Sequence, residues 1–168
     1  YKDVYEIGAA GGANLIPFKI LNKKVGGNEL SKKLIKFSKN NGILLNHSDL
    51  TDIPFKIDLI IIQHVFEHLF DPENLLRVIY QKKAKYLYIG VPGFINIMPS
   101  VQLAHNFYFS FNTLMKICSN NGFRLIEKAM YNSNNYLMLL FQRVNKSEDF
   151  YYDYSSEVNN IQNIYYKF

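Results

Sequence analysis

The sequence of 168 residues holds one cysteine, Cys118, and no tryptophan. A single thiol excludes an intrachain disulfide and any multi-thiolate zinc site. It also favours a reducing compartment, so the reading is a cytoplasmic protein with no metal staple. No apolar run approaches the ~18 residues that a membrane span requires. Arginine is scarce, three against 16 lysines, so the bidentate fork with which proteins grip phosphate and guanine is largely missing. No Gly-x-x-x-x-Gly-Lys-Ser/Thr loop exists, which excludes P-loop nucleotide chemistry.

What is present suits one globular domain with a real core, since 48% of the residues are hydrophobic and 20% charged,. The net charge of +5 is uneven. Residues 1–146 carry 18 bases and 10 acids, a net of +8, whereas residues 147–168 hold four acids against Lys167. Seven lysines fall between Lys19 and Lys39. Their spacing fits a solvated helical face, with an anionic partner as the other reading.

Short apolar runs alternate with helical stretches, which predicts an α/β architecture with a mostly parallel sheet. Strands are expected at 4–7, 25–29, 43–47, 57–63 and 86–91, followed by a hairpin over 123–130 and 136–144. Helices are expected at 14–22, after the Ser31 cap, after Asp71 and Pro72, and at 111–120. The run 57–63 is almost unbroken in its apolarity, as a central strand covered on both faces would be. In the tail, Val158, Ile161, Ile164, Tyr165 and Phe168 step by three and four, which predicts an amphipathic helix. That helix is read as packing on the body, as a homodimer contact, or as a cover over the site.

Chemistry concentrates at the ends of the strands. Glu6-Ile7-Gly8-Ala9-Ala10-Gly11-Gly12 stands where the first strand turns into the first helix, and small residues there let backbone approach a ligand. The glycine frame does not fit Gly-x-Gly-x-x-Gly, and a carboxylate at Glu6 is a poor neighbour for a pyrophosphate. A cationic amine or sulfonium ligand suits it better. Glu29 ends the second strand, where a carboxylate can take both hydroxyls of a ribose. Asp49 follows the third. Three acids at the carboxyl ends of three consecutive strands converge on one crevice.

These segments resemble the class I S-adenosylmethionine-dependent methyltransferases, most closely the small-molecule and sugar type. V-Y-E-I-G-A-A-G-G (4–12) is similar to the family's E/D-x-G-x-G-x-G, with Ala10 in place of the middle glycine. G-N-E-L-S (27–31) resembles G-x-D-x-S, with Glu29 for Asp, and S-D-L-T-D-I-P-F (48–55) resembles G-D-x-x-x-L-P-F. The most specific match is D-L-I-I-I-Q-H-V-F-E-H-L-F-D-P (58–72), which resembles F-D-x-V-x-x-x-x-V-L-E-H-x-x-D-P. Residues 105–123 are similar to H-x-x-x-F-S-x-x-x-L-x-x-x-L-x-x-x-G-F.

The resemblance implies a Rossmann-like seven-stranded sheet of order 3-2-1-4-5-7-6, with strand 7 antiparallel and helices on both faces. It implies a core over residues 1–146 whose lid segment ahead of the first strand is missing, and an acidic, tyrosine-rich extension over 147–168. It implies S-adenosylmethionine as cofactor, S-adenosylhomocysteine as product, and transfer to O or N of a small-molecule or sugar acceptor. Gly8, Ala10 and Gly12 would bed the methionine part, with Glu6 reaching its ammonium through water. Glu29 would take the ribose hydroxyls with Leu30 against the adenine. Asp49 would accept from the adenine amino group, with Leu50 beside it. Gln63 and His64 would face the sulfur and the substrate.

His64 and His105 are the candidate bases, because an imidazole titrates near neutral pH. Glu67, His68, His47 and Cys118 are read as structural. The alternatives are an RNA methyltransferase, suggested by the basic body, and a non-catalytic cofactor-binding subunit, suggested by the tail. Nucleic acid is not the expected partner.

Overall fold

The computed structural model describes residues 1–54, 56–93, 103–131, 136–145, 155 and 158. Its frame is one sheet built from β1 (Asp3–Ile7), β2 (Lys24–Asn28), β3 (Leu59–Gln63), β4 (Tyr86–Pro92), β5 (Phe123–Tyr131) and β6 (Tyr136–Arg143). The order across the sheet is β2-β1-β3-β4-β6-β5. β1 to β4 pair in parallel, while β6 runs antiparallel between β4 and β5. This is the expected topology with one strand fewer.

The missing strand is the one expected at 43–47. That segment meets β2 through a single parallel bridge, Asn28 to Asn46. Asn46 N–H donates to Gly27 O at 2.9 Å and Asn46 O accepts from Glu29 N–H at 3.0 Å. Ile43 is buried and Leu44 is 70% exposed, the alternation of a strand, but a single bridge does not make a ladder.

Among the described residues four α-helices flank the sheet: α1 (Ile16–Ile20), α2 (Lys32–Asn40), α3 (Pro72–Gln81) and α4 (Phe111–Asn120). Three start on side-chain caps, two of which, Ser31 and Asp71, are expected from the sequence. Ser31, Asp71 and Ser110 accept from the backbone N–H groups of Leu34, Asn74 and Thr113, satisfying donors that the first helical turn leaves unpaired. The lysines of α2, Lys32, Lys33, Lys36 and Lys39, are all exposed, as a solvated face requires.

The alternation of side chains along β3 places Ile60 and Ile62 in one core and Leu59 and Ile61 in another,. The first core is closed by Leu75, Leu76 and Ile79 of α3 and by Leu114, Met115 and Cys118 of α4. Each such aliphatic side chain contributes about 1.5–3 kcal/mol by leaving water. The second face is covered more thinly, by Leu15, Ile43 and Phe18. An apolar hollow of about 330 Å³ remains there, lined by Tyr1, Phe18, Leu59, Ile61, Tyr88 and Leu140 among others. Cys118 is buried with its thiol pushed up by desolvation, consistent with a packing residue. The helix expected in the tail lies outside the described residues apart from Ser155 and Val158, which are helical. Among the described residues no helix is long and apolar enough to cross a membrane.

Candidate functional site

At the carboxyl end of β1 the chain turns sharply. Gly8, Ala10 and Gly12 all have positive φ, at 65°, 47° and 76°, the left-handed region that favours glycine. A side chain at Gly8 would lie 2.6 Å from Val65 Cγ2, and one at Gly12 would lie 2.8 Å from Ile43 Cγ2. Two of the three positions thus have glycine for space as well as for φ. Ala10 adopts the same backbone without that excuse.

Asn28 and Glu29, at the end of β2, hold this turn. Asn28 is fully buried; its Oδ1 accepts from Gly8 N–H at 3.0 Å and its Nδ2 donates to Asp49 O at 2.8 Å. It ties together the β1 turn, the end of β2 and the loop of Asp49. Glu29 accepts from Ala10 N–H at 2.9 Å through Oε2 and from Ser31 N–H at 2.7 Å through Oε1. A carboxylate oxygen has two acceptor positions, so each retains one for a further donor. Leu30 beside it is 60% exposed.

Asp49 is an exposed turn residue. Its Oδ1 accepts from both the backbone and the hydroxyl of Thr51, at 2.9 and 2.7 Å, and these bonds lower its pKa. Leu50 packs half-buried against the first core. The structure therefore brings Gly8, Ala10, Glu29 and Asp49 into one hydrogen-bonded unit, and Asn28 is the member that the sequence reading missed. Its signal was an Asn in a strand next to a Glu. Nothing local says that its amide bridges 20 and 21 residues away.

Glu6 lies under the turn and is 1% exposed. Asn14 Nδ2 donates to its Oε1 at 2.7 Å, while Oε2 is buried without a hydrogen-bond partner. Burial pushes its pKa up to about 7, against the lowering effect of Asn14.

Past the end of β3, Gln63 Nε2 hydrogen-bonds Tyr136 Oη, and His64 Nε2 is 3.0 Å from the same hydroxyl. Gln63 Nε2 donates there, and the hydroxyl can donate in turn to His64 Nε2 when that nitrogen carries no proton,. Burial raises the Tyr136 pKa, with Tyr88 and Glu67 adding to it, which keeps that proton in place. His64 has a positive φ of 54°, a strained backbone of the kind found at functional sites. His105 is not beside this pair in the hydrogen-bond pattern. Its ring packs on His68 and Tyr108, with centroids 4.7 and 5.5 Å away.

Residues 5–83 match the family model described as "Methyltransferase domain". Over that match, 79 of the 168 residues, the chain is similar to a methyltransferase domain. No curated protein matches the sequence. Similar folds occur in solved methyltransferase structures. Magnesium protoporphyrin IX methyltransferase from Synechocystis PCC 6803, crystallised with S-adenosylhomocysteine, is 15% identical with a TM-score of 0.73, over 84% of this chain and 74% of that one. An S-adenosylmethionine-dependent methyltransferase from Archaeoglobus fulgidus is 20% identical with a TM-score of 0.69, over 83% and 85%. The 1,6-didemethyltoxoflavin-N1-methyltransferase of Burkholderia thailandensis is 13% identical with a TM-score of 0.67, over 84% and 71%. In each comparison this chain spans most of the other.

Proposed function

We propose that this chain uses S-adenosylmethionine and moves its methyl group to an oxygen or nitrogen of a small-molecule or sugar acceptor. The observation that carries the reading is the Asn28–Glu29 unit. It fixes a backbone cradle, at positions where a side chain would collide with Val65 or Ile43, and it sets a carboxylate beside that cradle at the carboxyl edge of a parallel sheet. Ligands bind at such edges in open α/β sheets. The buried, unpartnered Oε2 of Glu6 supplies a negative position under the cradle that a cationic amine reached through water would satisfy.

On this reading the backbone of Gly8, Ala10 and Gly12 would bed the methionine part. The free acceptor positions of Glu29 would take the two ribose hydroxyls. Exposed Leu30 and half-buried Leu50 would flank the adenine, with Asp49 accepting from its amino group. The cofactor supplies an electrophilic methyl group on a sulfonium. The chain's own contribution is alignment and exclusion of water, for which no nucleophilic side chain is needed. Gln63 holds the Tyr136 hydroxyl against His64, and His64 Nε2 would receive the acceptor's proton through that hydroxyl. The names of two of the similar proteins, a porphyrin and a toxoflavin methyltransferase, support a small-molecule acceptor.

The test is cofactor binding in Glu29→Ala alongside acceptor kinetics in His64→Ala. Glu29→Ala should weaken S-adenosylhomocysteine binding by about 10- to 100-fold, the equivalent of one charge-assisted hydrogen bond. His64→Ala should lower kcat with the cofactor Kd unchanged. Wild-type affinity in Glu29→Ala would remove the ribose assignment.

A further inference from the structure

One group of side chains lies outside this methyl-transfer reading. After β3 the chain makes a short 3-10 turn, Phe66–His68, and a later loop returns to it. Asn106 and Phe107 N–H both donate to Glu67 O, at 2.9 and 3.1 Å. Asn106 Nδ2 donates to His68 O at 2.7 Å. This clamp sets Glu67, His68 and His105 together, with one ligand atom of each within 4.8 Å of the others.

Three features of the group are unexplained by packing. The Glu67 side chain is 2% exposed, and both of its carboxylate oxygens are without a hydrogen-bond partner. His64 Nδ1 comes within 3.4 Å of Oε1 without making a hydrogen bond. A carboxylate buried in this way is costly unless a cation meets it. Second, His105 Nδ1 is likewise buried and unpartnered. Third, His68 Nδ1 is 2.8 Å from Ala104 O. A carbonyl can only accept, so the proton of His68 is fixed on Nδ1 and the lone pair on Nε2. A backbone carbonyl holding one ring nitrogen is how metal-ligating histidines are oriented.

We propose that Glu67, His68 and His105 form a site for one divalent transition-metal ion of the zinc class. Two imidazoles and a carboxylate suit a borderline cation, whereas magnesium and calcium take oxygen ligands throughout. Three protein ligands leave a coordination position open, as in reactive and not closed structural zinc sites. Tetrahedral ligands about 2.1 Å from an ion stand about 3.4 Å apart, so no pair of these ligand atoms, all within 4.8 Å of one another, has to close by more than about 1.4 Å. The site does not depend on the cofactor assignment, because none of its ligands belongs to the cradle. Sequence reading passed over it because Glu67 and His68 are adjacent and His105 lies 37 positions after His68, a spacing that matches no metal motif.

The experiment uses the chain without a histidine tag, stripped of metal with dipicolinate. It is titrated with Co²⁺, followed by visible d–d absorption, and with Zn²⁺, followed by calorimetry. Saturation at one ion per chain is expected, with Co²⁺ bands of the intense, low-coordinate type. Glu67→Gln, His68→Gln and His105→Gln should each weaken binding at least about tenfold, and His47→Gln, elsewhere on the surface, should not. Circular dichroism confirms that each variant is folded, and Glu67→Gln, nearly isosteric, decides the matter if a histidine variant is not. Lack of saturable binding would overturn the proposal. So would saturable binding that persists in the folded cluster variants, or that is lost in His47→Gln.

Discussion

At the scale of single residues, Ala10 and Glu6 carry the sharpest consequences. Ala10 holds a φ of 47°, and the left-handed region costs a residue with a Cβ roughly 1–2 kcal/mol. Glycine has no such cost but loses more backbone entropy on folding. Ala10→Gly should therefore raise the unfolding free energy by about 0.5–1 kcal/mol, read as a higher denaturant midpoint at unchanged slope. Glu6 has a folded pKa of about 7 against an ordinary 4.5 because of burial. Its raised value means that the native state holds a proton that the unfolded state has released. Stability is thus highest below the unfolded pKa and falls as pH rises from about 4.5 to about 7,. Glu6→Gln should abolish that slope and leave the protein more stable at pH 8 by on the order of 3 kcal/mol. Chemical denaturation at a series of pH values checks this. Affinity for a cationic ligand should move the opposite way, strengthening as pH rises toward 7, because binding then requires Glu6 to be ionised.

At the scale of elements, legibility followed sequence distance. The helices after Ser31 and Asp71 start on caps formed with residues three positions away, so the sequence displayed them openly; the Ser110 cap is equally local and was not read. The apolar run of β3 and the hairpin of β5 and β6 were also visible as local patterns. The segment 43–47 shows where this reasoning fails. Its Ile-Leu-Leu pattern alternates as a strand does, but a ladder needs a partner in register, and β2 offers it only Asn28. Asn28 itself, the Tyr136–His64 contact and the meeting of Glu67 with His105 join residues 20 to 72 positions apart, and no local pattern encodes those meetings. The Gly-rich turn gives the prediction at this scale. Gly12→Ala places a Cβ 2.8 Å from Ile43 Cγ2 at a φ of 76°, so backbone strain and a collision add. A stability loss of about 2 kcal/mol is expected. Loss of cofactor affinity should accompany it, because Ile43 and the turn move together. Thermal unfolding with and without S-adenosylhomocysteine separates the two effects.

At the scale of the whole molecule, the charge that stood out in the sequence has little to do with the site. The lysines of α2 face solvent, and the carboxylates that matter, Glu6, Glu29 and Glu67, are buried or held by backbone amides. The two faces of the sheet are unequal: α3 and α4 close one, while the other keeps an apolar hollow near Tyr1 and Tyr88. A ligand in the cradle would tie the paired strands β1 and β2 to the Asp49 loop, which Asn28 Nδ2 already bonds. Ligand at 100 times its Kd should therefore raise stability by about 2.7 kcal/mol. The central claim is that this crevice holds S-adenosylmethionine, and calorimetric titration of the chain with S-adenosylmethionine and S-adenosylhomocysteine tests it most directly. The account predicts saturable binding of both at one molecule per chain, and the absence of heat and of any thermal shift in both titrations would contradict it.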